Sequence, residues 1–364
     1  MTVVDPARLW AALPAALDGG GCLAPASDAV TLAMLRPELP VEDADAALIV
    51  ATSGSTGRPK GVLLSRRALR ASAAATHERL GGPGRWHCAL PTSYVAGVMT
   101  LVRAHVAGIA PVFVAPDLAD LAPGPGRNYL SLVPTQVHRA LERPEVAARV
   151  ARFDAVLVGG AALPGDLRAR AAASGIAVVT TYGMSETCGG CVYDGVPLVG
   201  VDVAVEPGSG RVTIGGPVLF SGYRLDPDAT AAALVGGRFV TADRGRWADG
   251  RLQVLGRVDD VVISGGVNVD LAEAQRVADE VLGPPEAGGI VLVGVPDPAW
   301  GTRIVAVTTG ALTVDEVRDR LGQHLGRAAL PRTVRRVGVL PRTASGKIDR
   351  QRLIAREVPG GHGG

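Results

Sequence analysis

The chain has 364 residues, of which 47% are hydrophobic, and its formal net charge is +2. This length predicts two domains, or one large and one small, with enough apolar residues for a sizeable core. The near balance of charge argues against a nucleic-acid partner or an anionic membrane surface. The most membrane-like stretch, 95–114, contains Arg103, His105, glycine and proline, so we expect no membrane insertion. No basic-then-apolar leader opens the chain, and we expect a cytoplasmic protein.

Short apolar runs alternate with helical patterns up to about residue 190. Runs containing β-branched residues predict strands at 46–51, 86–90, 110–115, 129–133, 155–158 and 177–181. Helices are predicted at 66–80, 95–107, from 134 onward and near 163–174. Ser65 can cap the first of these helices. The alternation is typical of a parallel sheet with helices on both faces, so we expect an α/β fold.

After about residue 190 the pattern changes to short strands separated by turn signals. Strands are predicted at 202–206, 211–215, 238–241 and 251–256. Asp249-Gly250 lies between two of them and predicts a tight hairpin. We interpret this region as a small antiparallel subdomain of a large N-terminal domain spanning residues 1–258.

A third pattern begins near residue 259. Asp270 and Glu273 form a capping-box-like start for a helix at 271–282, and Thr313 can cap a helix at 314–325. Strands are predicted at 290–295, 303–308 and 334–340. The sequence therefore predicts a small α+β C-terminal domain, 259–358, followed by a flexible tail, 359–364.

The strongest local motif is the ten-residue segment TSGSTGRPKG at 52–61. Its small residues allow backbone amides to approach phosphate oxygens, while its hydroxyls and cations add donors and positive charge. The segment follows a predicted strand and precedes a predicted helix. It is not a Walker A loop, because Pro59 precedes Lys60 and Gly61 follows it. A helix cannot continue intact through Pro59, so we predict a loop that covers phosphates.

With this loop, four further segments resemble the adenylate-forming superfamily of acyl-CoA synthetases, adenylation domains and luciferases. In order they are GGA at 159–161, YGMSET at 182–187, Asp243 with GRVDD at 256–260, and PRTASGKI at 341–348. The resemblance covers about residues 46–355. It implies a mobile C-terminal domain that turns on a hinge at Asp259, and ATP, Mg²⁺ and CoA as the small molecules used.

The resemblance assigns roles residue by residue. Lys347 is the implied catalytic cation, Thr187 the α-phosphate contact, and Glu186 the catalytic metal ligand for Mg²⁺. Asp243 and Arg257 are implied at the ribose, and Gly265 and Gly266 face CoA. The remaining implied ATP contacts are Thr52, Ser53, Gly54, Ser55, Thr56, Gly57, Lys60, Gly160, Ala161, Thr181, Tyr182, Gly183 and Met184.

Within the superfamily the chain most resembles the 2-succinylbenzoate–CoA ligases of menaquinone biosynthesis, in their short actinobacterial form. LPTSYVAG at 90–97, VR at 102–103 and LSLVPTQ at 130–136 carry this resemblance, and the early phosphate loop agrees with it. Arg103 could pair with the spectator carboxylate of the acid and Ser131 could donate to it. Tyr94, where many relatives have histidine, is taken as pocket wall. The implied acid-binding residues are Tyr94, Arg103, Ser131, Gly159 and Ser185.

Three alternatives remain at this point. The protein could adenylate another aryl or acyl acid and load CoA or a carrier protein, or it could be a catalytically silent nucleotide-binding protein. Arg103 could be a structural ion-pair residue. A homodimer is left open. Cys188 and Cys191 have CxxC spacing, but no second pair completes a zinc site, so we interpret the cysteines as small, reduced, partly buried thiols.

Overall fold

The computed structural model describes residues 1–26, 28–52, 60–342 and 348–357, without the side chain of residue 286. The strands are β1 Thr2–Val4, β2 Leu23–Pro25, β3 Ala46–Thr52, β4 Lys60–Ser65, β5 Arg85–Cys88, β6 Val112–Phe113, β7 Asn128–Leu132, β8 Ala155–Val158, β9 Val178–Met184, β10 Gly189–Tyr193, β11 Val196–Pro197, β12 Asp202–Val205, β13 Arg211–Gly215, β14 Gly222–Tyr223, β15 Leu234–Val235, β16 Arg238–Ala248, β17 Arg251–Arg257, β18 Val261–Ser264, β19 Val267–Asp270, β20 Ile290–Asp297, β21 Gly301–Thr308 and β22 Thr333–Arg336. The α-helices are α1 Leu9–Leu17, α2 Ala29–Leu35, α3 Arg66–Arg79, α4 Val95–Ala107, α5 Pro134–Leu141, α6 Pro144–Val150, α7 Gly165–Ala173, α8 Pro227–Ala233, α9 Leu271–Leu282, α10 Val314–Leu321 and α11 Arg350–Ala355.

A seven-stranded sheet has the order β11-β10-β9-β8-β7-β5-β6. The pairs from β9 to β6 are all parallel, while β10 and β11 add an antiparallel edge. Helices connect the parallel strands, and the interior strands β7 and β8 are buried along their whole length. The predicted α/β fold is therefore confirmed, and the carboxyl ends of β7, β8 and β9 meet at one edge.

A second sheet, β1-β2-β3-β4-β14, is mixed. Strands β1 to β3 are parallel, whereas β3 pairs antiparallel with β4 and β4 with β14. The phosphate-loop motif precedes a helix as expected, and strand β4, which the sequence did not predict, lies between the two. The helix starts at Arg66 with Ser65 as its cap, and the serine Oγ accepts from the N–H of Ala68 at 3.1 Å.

A third sheet has the order β12-β13-β16-β15, with β17 on β16. Its predicted hairpin is confirmed. Asp249 and Gly250 both adopt positive φ, 51° and 71°, as a two-residue turn between β16 and β17 requires.

The fourth sheet, β19-β18-β21-β20 with β22 beside β21, carries α9 and α10. Helix α9 has the predicted bounds, and the carboxylate of Asp270 accepts from the N–H groups of Ala272 and Glu273. Helix α10 keeps its predicted Thr313 cap but ends at Leu321 instead of 325. The reason is Gly322, since glycine is a poor helix former. These elements confirm an α+β unit.

By its contacts the chain divides into two compact units. The first comprises Met1–Ala204, Thr213–Thr241 and Trp247–Gln253, and the second Val205–Val212, Ala242–Arg246 and Val254–Gly364. The predicted boundary at 258/259 and the 359–364 tail stay predictions. Among the described residues, no helix has both the length and the apolarity needed to cross a bilayer.

Candidate active site

The carboxyl edge of the seven-stranded sheet gathers several of the predicted site residues. Gly159 and Gly160 directly follow β8, and Thr181 lies near the end of β9. A Cβ on Gly159 would lie 2.3 Å from Oγ1 of Thr181, so only glycine allows these strand ends to approach so closely. Gly160 has a φ of +81°, which also favours glycine. In open α/β sheets, ligands bind at this edge.

Strands β9 and β10 are also joined through glycine. Gly183 pairs with Gly190 and Met184 with Gly189. A Cβ on Gly183 would lie 2.1 Å from the carbonyl oxygen of Gly189, so the two backbones are in direct contact. This close pairing holds Tyr182, which is half-buried, and the turn that follows β9.

Glu186 and Thr187 lie in the short 3-10 helix Ser185–Thr187 at the end of β9. The backbone carbonyl of Glu186 accepts from the N–H of Phe220 at 2.9 Å. The hydroxyl of Thr187 is fully buried and accepts from the N–H of Met184 at 2.9 Å, and it lies 2.8 Å from the carbonyl of Gly189. The structure therefore places this hydroxyl inside the turn, and its α-phosphate contact stays a prediction.

Tyr223 on β14 is a site residue that the sequence reasoning missed. Its hydroxyl donates to Oε1 of Glu186 at 2.9 Å, and Nζ of Lys60 lies 4.4 Å from the centre of its ring. Burial, and next the charge of Glu186, raise the pKa of Tyr223, so the hydroxyl keeps its proton and acts as donor. In the sequence, Tyr223 is simply an aromatic residue in the segment GYR at 222–224, and such a residue is equally well explained as part of the hydrophobic core.

Arg103 on α4 is only 4% exposed. Its guanidinium packs on the ring of Trp86 at 5.0 Å, and one terminal nitrogen donates to the hydroxyl of Tyr193 at 3.3 Å. Its Nε has no hydrogen-bond partner among the described residues. The structural ion-pair alternative finds no support there either, since no carboxylate of the described ranges lies within 4.0 Å of Arg103.

Ser131 and Tyr94 belong to the same unit as Arg103. Ser131 lies on β7 and is 6% exposed, and its hydroxyl has no partner in the part of the chain that the structure describes. Tyr94 is half-buried at the N-terminus of α4. Burial, and next the charge of Asp28, raise the pKa of Tyr94, so it presents a neutral ring and hydroxyl. The roles of both residues as acid contacts stay predictions.

In the second unit, the two predicted ribose residues are brought together. The guanidinium of Arg257 lies 3.8 Å from a carboxylate oxygen of Asp243 and 3.1 Å from a carboxylate oxygen of Asp259, the predicted hinge. Gly265 and Gly266 form the two-residue turn between β18 and β19, both with positive φ. A Cβ on Gly265 would lie 2.8 Å from the ring of Trp300, so a side chain has no room there. The hinge and CoA roles stay predictions.

Several predicted residues lie outside the described ranges, namely Ser53, Gly54, Ser55, Thr56, Gly57 and Lys347. Three other predicted site residues lie within the described ranges. Thr52 ends β3 and pairs with Lys60 on β4. Ala161 is exposed, whereas Ser185 is 8% exposed. The four cysteines are free, and all are buried, where partly buried thiols were expected from the sequence.

Glu186 fits a role in holding Mg²⁺. Mg²⁺ is commonly held in enzymes by one or two carboxylates together with phosphate oxygens and water. Glu186 supplies a single half-buried carboxylate, one oxygen of which accepts from Tyr223, and a carboxylate can accept from several partners at once. Within the described ranges no group of three or more histidine, cysteine or carboxylate side chains could form a metal site of protein ligands alone.

Two family models match the chain, AMP-binding enzyme over residues 11–229 and AMP-binding enzyme C-terminal domain over residues 281–347. The chain belongs to the AMP-binding enzyme family. A probable 2-succinylbenzoate–CoA ligase of Mycobacterium tuberculosis is 43% identical over 334 residues, covering 86% of this chain and 85% of that protein. A feruloyl-CoA synthase of Amycolatopsis is 32% identical, covering 86% of this chain and 70% of that protein.

Solved structures agree with this family. The o-succinylbenzoate CoA synthetase of Bacillus subtilis, in complex with its acyl-adenylate intermediate, has a TM-score of 0.76. It is 25% identical, and the match covers 96% of this chain and 82% of that one. The same enzyme from that organism has been solved with ATP and a magnesium ion, at a TM-score of 0.73 and 26% identity, covering 87% of this chain and 72% of that one. This family membership makes the protein an enzyme of the AMP-forming acid–CoA ligase class.

Proposed function

We propose that this protein is an ATP-dependent, AMP-forming ligase that joins 2-succinylbenzoate to CoA. The observation that carries the proposal is the 43% identity, over 86% of the chain, with a probable 2-succinylbenzoate–CoA ligase. The match runs through both the nucleotide motifs and the segments around Tyr94, Arg103 and Ser131.

The proposed reaction has two steps. A carboxylate oxygen of the acid attacks the α-phosphorus of ATP, the bond to the β-phosphate oxygen breaks, and pyrophosphate leaves with that electron pair. The thiol sulfur of CoA then attacks the acyl carbon of the adenylate. The carbon–oxygen bond to AMP breaks, a thioester forms, and the thiol proton is released. Magnesium, when bound, neutralises phosphate charge during the first step.

The chain's own residues supply position and charge. Glu186 presents a carboxylate in the turn after β9. The N–H of Phe220 donates to its backbone carbonyl, and the hydroxyl of Tyr223 donates to the carboxylate itself. Lys60 lies at the end of the phosphate-loop motif beside them. We place Lys347 at the reacting carboxylate and α-phosphate, where a point charge stabilises the developing negative charge.

Both lysines of the chain, Lys60 and Lys347, lie in these motifs, while arginine supplies every other basic side chain except histidine. Surface positions that need a positive charge therefore use arginine in this chain. A compact ammonium at these two positions supports a chemical role for each.

The choice of acid rests on Arg103 and Ser131. A buried guanidinium is costly unless a partner compensates its charge. Arg103 has the Trp86 ring and the Tyr193 hydroxyl but an unpartnered Nε, and Ser131 has an unpartnered hydroxyl, among the described residues. The spectator carboxylate of 2-succinylbenzoate would satisfy a donor of this kind.

The test is an acid screen with ATP and CoA in which AMP, ADP and pyrophosphate are measured. We expect AMP and pyrophosphate with 2-succinylbenzoate. Turnover only with ferulate or a fatty acid would refute the acid and keep the mechanism. ADP as product would refute adenylation.

A second candidate, adenylation of a hydroxycinnamate-type acid, is favoured by the similarity to feruloyl-CoA synthases. Arg103→Met separates the two, because loss of the guanidinium should raise KM for 2-succinylbenzoate and leave a monocarboxylic acid unaffected. A pyrophosphate exchange assay, first without CoA and then with CoA added, tests whether the acyl group goes to a carrier-protein thiol instead. Adenylation without transfer to CoA would favour the carrier protein as acceptor.

Lys347→Ala tests the catalytic cation and also the silent-binder alternative. We expect adenylation to fall by orders of magnitude while ATP affinity changes little. Arg336→Ala, at an exposed cation of the same unit, is the matched control and should behave as wild type. Equal adenylation by Lys347→Ala and wild type would refute the role. Absence of any adenylation by wild type would favour the silent binder.

A cytoplasmic location accompanies this proposal, because ATP and CoA are its co-substrates. Light scattering during gel filtration would distinguish a monomer from a homodimer.

A further inference from the structure

Tyr223 links three parts of the first unit, two through its side chain and one through its backbone. Its hydroxyl donates to Glu186 at 2.9 Å, its ring lies under Nζ of Lys60, and its backbone belongs to β14. The side chain is 9% exposed, so water competes little for the hydrogen bond to Glu186.

The tyrosine is itself held on several sides. Tyr223 pairs with Val62 across β14 and β4, and its N–H donates to Oγ1 of Thr230 at 2.8 Å. Its ring packs against that of Phe220, with 4.9 Å between ring centres. The next residue, Arg224, donates to backbone carbonyls of the segment 35–40 and to Glu42. A side chain fixed in this way can orient its acceptor.

We propose that Tyr223 is a positioning residue that holds the Glu186 carboxylate in the orientation needed to receive a divalent cation bound to ATP. The inference rests on the proposed function, because it takes Glu186 as the ligand of that cation. Its basis is the fixed hydroxyl at 2.9 Å from one carboxylate oxygen, because a hydrogen bond to one oxygen of a carboxylate sets the orientation of the whole group.

The same ring also places Lys60. A cation over an aromatic face is attracted by the ring, and 4.4 Å is well within the range of that interaction. Tyr223 therefore sets the separation between a positive group at the end of the phosphate-loop motif and the negative group on the turn after β9. Partners that orient a metal ligand typically change metal affinity by about 10- to 100-fold when removed.

The test compares Tyr223→Phe with wild type by direct binding of Mn²⁺ in the presence of ATP, followed by electron paramagnetic resonance. We expect the affinity for Mn²⁺–ATP to fall roughly 10- to 100-fold in Tyr223→Phe. The matched control is Tyr129→Phe, because that hydroxyl donates to the carbonyls of Leu80 and Gly82 and not to Glu186. It should bind Mn²⁺–ATP as wild type does.

A double-mutant cycle keeps the test independent of fold stability. Glu186→Gln removes the ligand charge, and Tyr223→Phe in that background should change Mn²⁺–ATP affinity far less than it does alone. Equal affinity of Tyr223→Phe and wild type, or full additivity in the cycle, would overturn the inference and leave the proposed function intact. No Mn²⁺–ATP binding by wild type would overturn both.

Lys60 offers a spectroscopic readout that does not depend on metal. Reductive methylation with ¹³C-formaldehyde labels the two lysines and the α-amino group, so the spectrum contains few signals. The Lys60 signal should show a ring-current shift that persists in Tyr223→Phe and disappears in Tyr223→Leu. An unshifted Lys60 signal in wild type would contradict the placement.

Discussion

Replacing Gly183 by alanine should damage the site through the backbone alone. A Cβ at this position would lie 2.1 Å from the carbonyl oxygen of Gly189 and 2.7 Å from the Cα of Gly190. Both are main-chain atoms of β10, so no side chain can rotate away. The methyl group is accommodated only if β9 and β10 separate, which displaces Tyr182 and the turn that carries Glu186.

The magnitude follows from that geometry. Overpacking of a well-packed region costs about 1–3 kcal/mol, and a clash with several main-chain atoms of the neighbouring strand belongs at the upper end, about 3 kcal/mol. With a urea m-value of about 3 kcal/mol/M for a chain of this size, the midpoint should fall by about 1 M. Affinity for ATP should fall as well, because the strand that holds Tyr182 moves.

The assay is urea unfolding followed by tryptophan fluorescence, together with calorimetric titration of ATP. Gly165→Ala is the matched control, since nothing lies within 4 Å of a Cβ at this position and its φ is not in the left-handed region. That variant should be neutral or stabilised by about 0.5–1 kcal/mol. The same urea midpoint and ATP affinity for Gly183→Ala and wild type would refute the reasoning.

Three further outcomes are expected. Arg224→Ala should lower the free energy of unfolding by about 3 kcal/mol, because its fully buried side chain donates to backbone carbonyls and to Glu42. Arg36→Ala, which removes an exposed ion pair, should lower it by less than about 1 kcal/mol. Equal losses of unfolding free energy in the two variants would contradict this expectation. Burial lowers the pKa of His77 to about 4, and its Nε2 accepts from the indole of Trp86, so the folded state favours neutral imidazole. The stability that the neutral imidazole contributes is complete above the unfolded-state pKa near 6.5 and is lost as the pH falls toward 4, by about 2 kcal/mol at pH 5. Unfolding free energies of wild type and His77→Gln at pH 7 and pH 5 measure this loss. The same change between the two pH values in both proteins would argue against it. The four cysteines are buried and burial raises the pKa of each thiol, so a thiol reagent should label native protein only at the rate of its unfolding, and rapid labelling would show otherwise.

The sequence predicted best where a local cap coincided with a regular apolar pattern. Helices α4 and α9 have the predicted bounds, and α3 begins at the predicted Ser65 cap. Capping and periodicity are properties of neighbouring residues, so they can be recognised without the fold. The N-terminal elements β1, α1, β2 and α2 went without prediction, and β4 was read as part of a loop leading to a helix.

The candidate site could be predicted in its residue types but not in its contacts. Glu186 was placed correctly after a strand, whereas its partner Tyr223 lies 37 positions further along the chain, on a two-residue strand that has no periodic signal. Arg103 was expected at a substrate carboxylate, and its burial against Trp86 depends on how α4 packs on the sheet. Such contacts join segments that are distant in the chain, and a single sequence does not show how those segments pair or pack against one another.

The anchoring of Arg224 also has a consequence for synthesis of the protein. Its bond to the carbonyl of Leu35 joins residues 189 positions apart, and β14 completes a sheet whose other strands all lie before residue 66. At roughly 5–20 residues per second, the ribosome needs about 8–32 s to supply the residues from 66 to 223. During that interval the edge of β4 is open to pairing with other chains. Release of nascent chains cut before residue 222 should therefore yield aggregates, whereas chains extending past Arg224 should yield a sheet with its edge covered.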